Sequence, residues 1–157
     1  AQEQVNTLAA RAAADAPLDN PHAVTRLLDA LREVGSQEQV NTLAARAAAD
    51  APLDNPHAVT RLLNALRKVG AQEQVNTLLT RNPAADAALD NPHAVTRLLD
   101  ALRKVGAQEQ VEVLAARLPA AGQFDQFTDI SDHRERFRFG REPDGNAASS
   151  WTWDDLE

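Results

Sequence analysis

The chain contains no cysteine, no methionine and no tyrosine, and only two of its 16 basic residues, Lys68 and Lys104, are lysines. Without cysteine there is no disulfide framework, no thiolate nucleophile and no cysteine-based zinc site, so stability has to come from packing. That usage fits the cytoplasm, which is the expected compartment. The missing methionine, absent even at position 1, suggests a chain cut from something longer or one that has lost its start. No apolar run approaches the roughly 18–20 residues that span a bilayer. The opening Ala1-Gln2-Glu3-Gln4 lacks the basic and apolar regions of a signal peptide, so no membrane partner is expected. A basic excess is lacking too. With 16 basic against 23 acidic residues the formal net charge is −7, and a chain that binds nucleic acid draws much of its affinity from Lys and Arg on phosphates. Nucleic acid is therefore a disfavoured partner. Aromatics are scarce at 4%, and all six of them, Phe124, Phe127, Phe137, Phe139, Trp151 and Trp153, fall in the last 34 of 157 residues.

What is present in their place is repetition. Residues 1–35 recur at 36–70 with three substitutions, Ala1 to Ser36, Asp29 to Asn64 and Glu33 to Lys68. A third copy, 71–106, is one residue longer because Asn82-Pro83 stands where the earlier copies have a single Ala. A fourth runs through 107–121 and keeps the pattern to Arg117, and the unique segment 122–157 follows. Periods of about 20–50 residues mark solenoids, propellers or arrays.

Each unit holds two helical patterns. In the second copy Val59, Leu62, Leu63, Leu66 and Val69 form a stripe at spacings of three and one, flanked by Ala58 and Ala65. Asn55 before Pro56 reads as a cap with proline at the first helical position, and Gly70 as a left-handed stop, predicting a helix over 56–69. Val40, Leu43, Ala44, Ala47 and Ala48 predict an earlier helix over 37–49, ending before Pro52. The short links between these helices favour antiparallel neighbours. One such hairpin cannot bury its stripe alone, so neighbouring units must supply the other wall. The expected fold is all-α: a right-handed α-solenoid of stacked antiparallel helical hairpins with an aromatic C-terminal cap and tail. The first helix carries Val5, Leu8 and Ala9 with no polar replacement, so its outer face is expected to be exposed apolar surface. That surface would arise in a fragment of a longer array, or serve pairing into a homo-oligomer.

Tandem helix-turn-helix units of this length resemble the α-solenoid class that includes tetratricopeptide, pentatricopeptide, Sel1-like and HEAT arrays. The bulky Trp, Leu-Gly pair and Tyr of tetratricopeptide units are replaced here by Gln37-Glu38-Gln39-Val40-Asn41-Thr42-Leu43. The run Leu18-Asp19-Asn20-Pro21 and the closing Phe137-Arg138-Phe139-Gly140-Arg141-Glu142 and Trp151-Thr152-Trp153-Asp154-Asp155-Leu156 look like repeat arrays at the C-terminal ends of large bacterial proteins. The resemblance implies a recognition or scaffold segment that binds protein or peptide, with no catalytic residues.

Several rows of side chains are candidates for that binding. Arg11, Arg46, Arg81 and Arg117 recur at one register and could hold an acidic peptide, since guanidinium forks grip carboxylates; alternatively Arg46 pairs with Asp50 one turn on, and Arg11 with Asp15. Asn6, Asn41 and Asn76, replaced by Glu112 in the last unit, form a second row that could bond an extended peptide or simply face solvent. His22, His57 and His93 follow each Asn-Pro. Successive units stack at about 10 Å, too far for one zinc that needs each nitrogen at about 2.0–2.1 Å. They read as surface or capping residues, and Asp19, Asp54 and Asp90 as acids that satisfy free amides at helix starts. No phosphate loop, metalloprotease helix or nucleophile elbow occurs. A non-enzyme with no cofactor and no metal is expected. In the tail, Trp151 and Trp153 beside acidic residues suit an anchor that docks on a solenoid, its own or a neighbour's. Structural self-assembly through open repeat faces is the alternative role.

Overall fold

The structure, a computed structural model, describes residues 1–130 and 133–150. Trp151 and Trp153 lie outside the described residues. The chain divides into two compact units, Ala1–Leu114 and Ala115–Glu157. The described residues are helical with no named strand, and no helix among them is long and apolar enough to cross a membrane.

In the first unit the helices are α1 (Gln2–Asp15), α2 (Pro21–Glu33), α3 (Gln37–Asp50), α4 (Pro56–Lys68), α5 (Gln72–Thr80), α6 (Pro83–Asp86) and α7 (Pro92–Lys104), followed by the start of α8 (Gln108–Arg117). The stripes and breakers predict these spans to within a residue where the copies are regular. The Asn20 and Asn55 side-chain oxygens each accept two backbone N–H bonds, from His22 and Ala23 and from His57 and Ala58, at 3.0–3.3 Å. Asn91 accepts from Ala94. The asparagines thus cap as read from the sequence, and these helix-start amides go to them rather than to the neighbouring Asp19, Asp54 and Asp90. Replacing Asn55 by Ala is expected to cost about 1 kcal/mol, read as a lower denaturant midpoint with an unchanged slope. At the other end Gly70 sits at φ +74°, while Ala71 N–H reaches back to the Leu66 carbonyl at 2.9 Å. That closure needs a left-handed residue after the helix, which glycine adopts without a Cβ clash.

The third copy departs from the other two. Pro83 has no N–H to continue a helix and clashes with the preceding turn, so the first helix of that unit stops at Thr80 and a one-turn helix starts at Pro83. Asn82 between them takes φ +59°, a conformation its short polar side chain tolerates better than most.

Packing follows two rows. The first helices of successive copies touch, α1 with α3 and α3 with α5, as do the second helices, α2 with α4 and α4 with α7. The second helices α2 and α4 also meet the first helix of the next copy, α3 and α5. The core is aliphatic: Val40, Leu43, Ala44, Ala47 and Ala48 of α3 and Val59, Leu62, Leu63 and Leu66 of α4 are buried. The alanines let these helices approach closely. On α1, Ala9 and Ala13 are buried but Val5 and Leu8 stay exposed, so Ala9 corrects the expected open face.

The second unit is built around aromatics. After a 3-10 turn at Pro119–Ala121 come α9 (Phe124–Thr128) and α10 (His133–Arg136). Buried Phe127 stacks on His133 at 4.3 Å and meets Phe137 at 4.8 Å between ring centroids. His133 donates from Nδ1 to the Phe127 carbonyl at 2.9 Å, since a carbonyl can only accept. Beyond it the chain reverses, with Arg141 bridged to Ala147. There the backbone and side-chain amides of Asn146 both donate to Asp144, and these bonds hold the Asp144 carboxyl below its ordinary range.

Candidate functional site

Two of the repeated arginines, Arg46 and Arg81, are taken up by the backbone. A carbonyl in an α-helix accepts from the N–H four residues on, so Ala13 O looks for a donor at position 17 and Ala48 O for one at position 52. Both positions are proline, which has none. Arg46 fills the first deficit, donating from Nη1 to Ala13 O at 2.7 Å and from Nη2 to Ala16 O at 3.1 Å. Arg81 repeats the arrangement one unit later on Ala48 O at 3.0 Å and Ala51 O at 2.8 Å. Each half-buried guanidinium thus straps the C-terminal end of the previous copy's first helix, where the helix dipole is negative. Asp50, the alternative partner expected for Arg46, receives neither nitrogen. Arg11 holds the same register on α1 but is exposed and meets no acceptor among the described residues. Arg117 is half-buried and falls in the second compact unit.

The asparagine row is solvent-facing. The Oδ1 atoms of Asn6, Asn41 and Asn76 accept from the Nε2 atoms of Gln2, Gln37 and Gln72 at 3.3, 3.1 and 3.3 Å, one turn away along each helix. Gln108 makes the same bond to Glu112 at 2.8 Å. In each Gln–Asn pair the asparagine carbonyl is engaged, so the amide is oriented and its N–H₂ turns outward. Of the repeated histidines, His22 lies 3.3 Å from Arg61 through Nδ1.

A concavity that the repeated motifs do not announce opens between the first two copies. Leu18, Pro21, Val24, Ala47, Ala51, Pro52, Ala58 and Leu62 line its walls, with Asp19, Asp54 and Asn55 among them, and it encloses about 300 Å³. This is at the small end of the roughly 300–1,000 Å³ typical of ligand pockets. The matching place between the second and third copies is bridged. There Ala88 N–H donates to the Asp54 carbonyl at 2.8 Å and ties the two loops together. The residue equivalent to Ala88 in the second copy is Pro52, which cannot donate, and the equivalent acceptor is the carbonyl of Asp19. Burial changes accordingly. Pro56 and Ala94 are buried at the closed interval, whereas their counterparts Pro21 and Ala58 are half-buried at the open one. The carboxylates of Asp19 and Asp54 have no cationic partner among the described residues, so the groove combines aliphatic walls with an acidic border. Sequence reasoning passed over it; the signal was the difference Pro52 against Ala88, invisible until the loops are known to face one another.

No family model, curated protein or solved structure matches the chain.

Proposed function

We propose that the chain is a non-enzymatic helical-repeat scaffold, a right-handed α-solenoid of the tetratricopeptide-like class, that holds a protein or peptide partner. The observation carrying this reading is the groove that Pro52 keeps open between the first two copies. Its size suits one or two side chains rather than a large cofactor. Aliphatic walls with a carbonyl acceptor and two carboxylates favour a cation on an aliphatic stem, a lysine or arginine of an extended segment, whose methylenes cover the leucines while the charge meets Asp19 and Asp54. The oriented amides of Asn6, Asn41 and Asn76 offer further donors to a backbone laid along the first helices. Arg46 and Arg81 act as ties between units in this reading. Trp151 and Trp153 are further candidate anchors.

Selection of a random peptide library on the 157-residue chain tests it. Peptides rich in Lys or Arg are expected, and their affinity should fall at least tenfold, about 1.4 kcal/mol, in Asp19→Asn/Asp54→Asn. Pro52→Ala supplies the N–H that Ala88 uses at the next interval; it should weaken the same peptides to a similar extent while raising the melting temperature. Selected peptides that bind the wild-type, Asn-substituted and Pro52→Ala chains equally would reject the groove as the binding surface.

A further inference from the structure

The formal charge of −7 averages two unlike sides of the first unit. The second helices α2, α4 and α7 touch in succession and carry eight basic residues, all exposed, against Asp29, Glu33 and Asp100. The remainder of residues 1–114 holds eleven acidic residues against Arg11, Arg46 and Arg81, and the last two are bound to carbonyls. On α4, His57, Arg61, Asn64 and Lys68 recur at spacings of four, three and four, one helical stripe on the side away from the buried Val59, Leu62, Leu63 and Leu66. Neighbouring stripes meet: Arg61 Nη1 lies 3.3 Å from His22 Nδ1, and Lys68 Nζ lies 2.8 Å from Asp29 Oδ1. In the third copy that acid is gone. The residue equivalent to Asp29 is Asn64, and Lys104 meets no carboxylate among the described residues. Arg26, Arg67 and Arg97 meet none among the described residues either. Two of the three substitutions between the first two copies, Asp29 to Asn64 and Glu33 to Lys68, raise the charge of this one face.

We propose that the joined outer face of α2, α4 and α7 binds the phosphate backbone of a nucleic-acid duplex without reading its bases. Net charge disfavours such a partner only where the charges are evenly spread. Here the acids of the first helices leave the basic face largely intact, since packed helices lie about 8–10 Å apart and the screening length at physiological ionic strength is about 8 Å. Clustered guanidinium groups without carboxylates repel one another, and an external anion relieves that repulsion. A duplex carries one negative charge per roughly 1.7 Å of its axis. Cations set a helix width apart therefore find phosphates without a matched pattern, whereas an acidic polypeptide would need carboxylates at the unit spacing. Arginine supplies six of the eight cations, and its fork takes two phosphate oxygens at once. An unpaired strand is the poorer fit, because residues 1–114 contain no aromatic side chain on which a base could stack. The face uses none of the residues that line the groove beside Pro52, so either reading can fail without the other.

The test is fluorescence anisotropy of a labelled DNA duplex of about 20 base pairs, titrated with the 157-residue chain between about 50 and 300 mM salt. With about four to six phosphates neutralised, the logarithm of the binding constant should fall against that of salt with a slope of about −4 to −5. Arg26→Gln/Arg61→Gln/Arg97→Gln should weaken binding at least tenfold and flatten the slope by about 2–3. Thr7→Glu/Thr42→Glu/Thr77→Glu makes the same change in net charge at exposed positions of the first helices. It should weaken binding less than about threefold. Arg67→Gln/Lys104→Gln, towards the C-terminal ends of the same second helices, should also weaken binding severalfold, so the assignment does not hang on the folding of one variant. Three results overturn the proposal: no binding at about 50 mM salt, equal losses for the arginine and threonine triples, or a poly-glutamate peptide that binds the chain more tightly than the duplex does.

Discussion

Leu43→Ala lowers the unfolding free energy by about 2–5 kcal/mol, and Leu8→Ala, the same substitution in an identical helix sequence, changes it by less than about 0.5 kcal/mol. Leu43 is fully buried and Leu8 is 68% exposed. Helix propensity falls out of the comparison, because both sites are flanked by the same residues for several turns. The difference that remains is transfer of the isobutyl group plus the cavity it leaves. Relaxation is limited at position 43, since its neighbours along the same helix, Ala44, Ala47 and Ala48, are all short and fully buried. Short side chains have few rotamers with which to refill a void, so the cost belongs in the upper half of the range. In a repeat array stability is a sum of unit terms and neighbour terms, and Leu43 contributes to a neighbour term. Leu43→Ala should therefore release α1 and α2 first, seen as faster amide exchange in residues 2–33 than in 56–68. Equal losses for Leu8→Ala and Leu43→Ala in chemical denaturation would contradict the burial assignment.

The legibility of the sequence follows from the kind of physics at stake. Helix existence, the asparagine caps and the glycine stops are local, depending on residues within one turn, and Asn55-Pro56 and Gly70 show them directly. Which helices touch is already less local, but the 35-residue period narrows it, because each hairpin must bury its stripe on a neighbour. The arginine ties were within reach and were missed. Reading them requires noticing that Pro17 and Pro52 leave no N–H for a carbonyl four residues back, and that Arg46 or Arg81 is a recurrent long donor on the first helix of the next unit. The sequence view kept arginine within its own helix, opposite Asp50, where i,i+4 pairing is the familiar rule. The groove was out of reach, because its opening turns on one hydrogen bond between loops of different units, made by Ala88 and impossible for Pro52. Single-residue differences between near-identical copies are weak as patterns and strong as geometry.

Removal of those ties gives the second large effect. Arg46→Ala should cost about 2–3 kcal/mol, since hydrogen bonds to charged groups contribute about 1.5–3 kcal/mol each and the half-buried site keeps only part of the combined value. Arg81→Ala should behave alike, having the same two acceptors one unit later. Arg46→Lys keeps the charge at the negative helix end but has no planar fork for two carbonyls set three residues apart, so it should recover less than half of the loss. Arg11→Ala is the internal control. It holds the same position in the same sequence and, with no acceptor, should be neutral within about 0.5 kcal/mol. The decisive condition is ionic strength: if the arginines stabilised the chain through acidic neighbours such as Asp50, 1 M salt would erase most of the effect. A tie to backbone carbonyls, which carry no ions to screen, should keep most of its strength at 1 M salt.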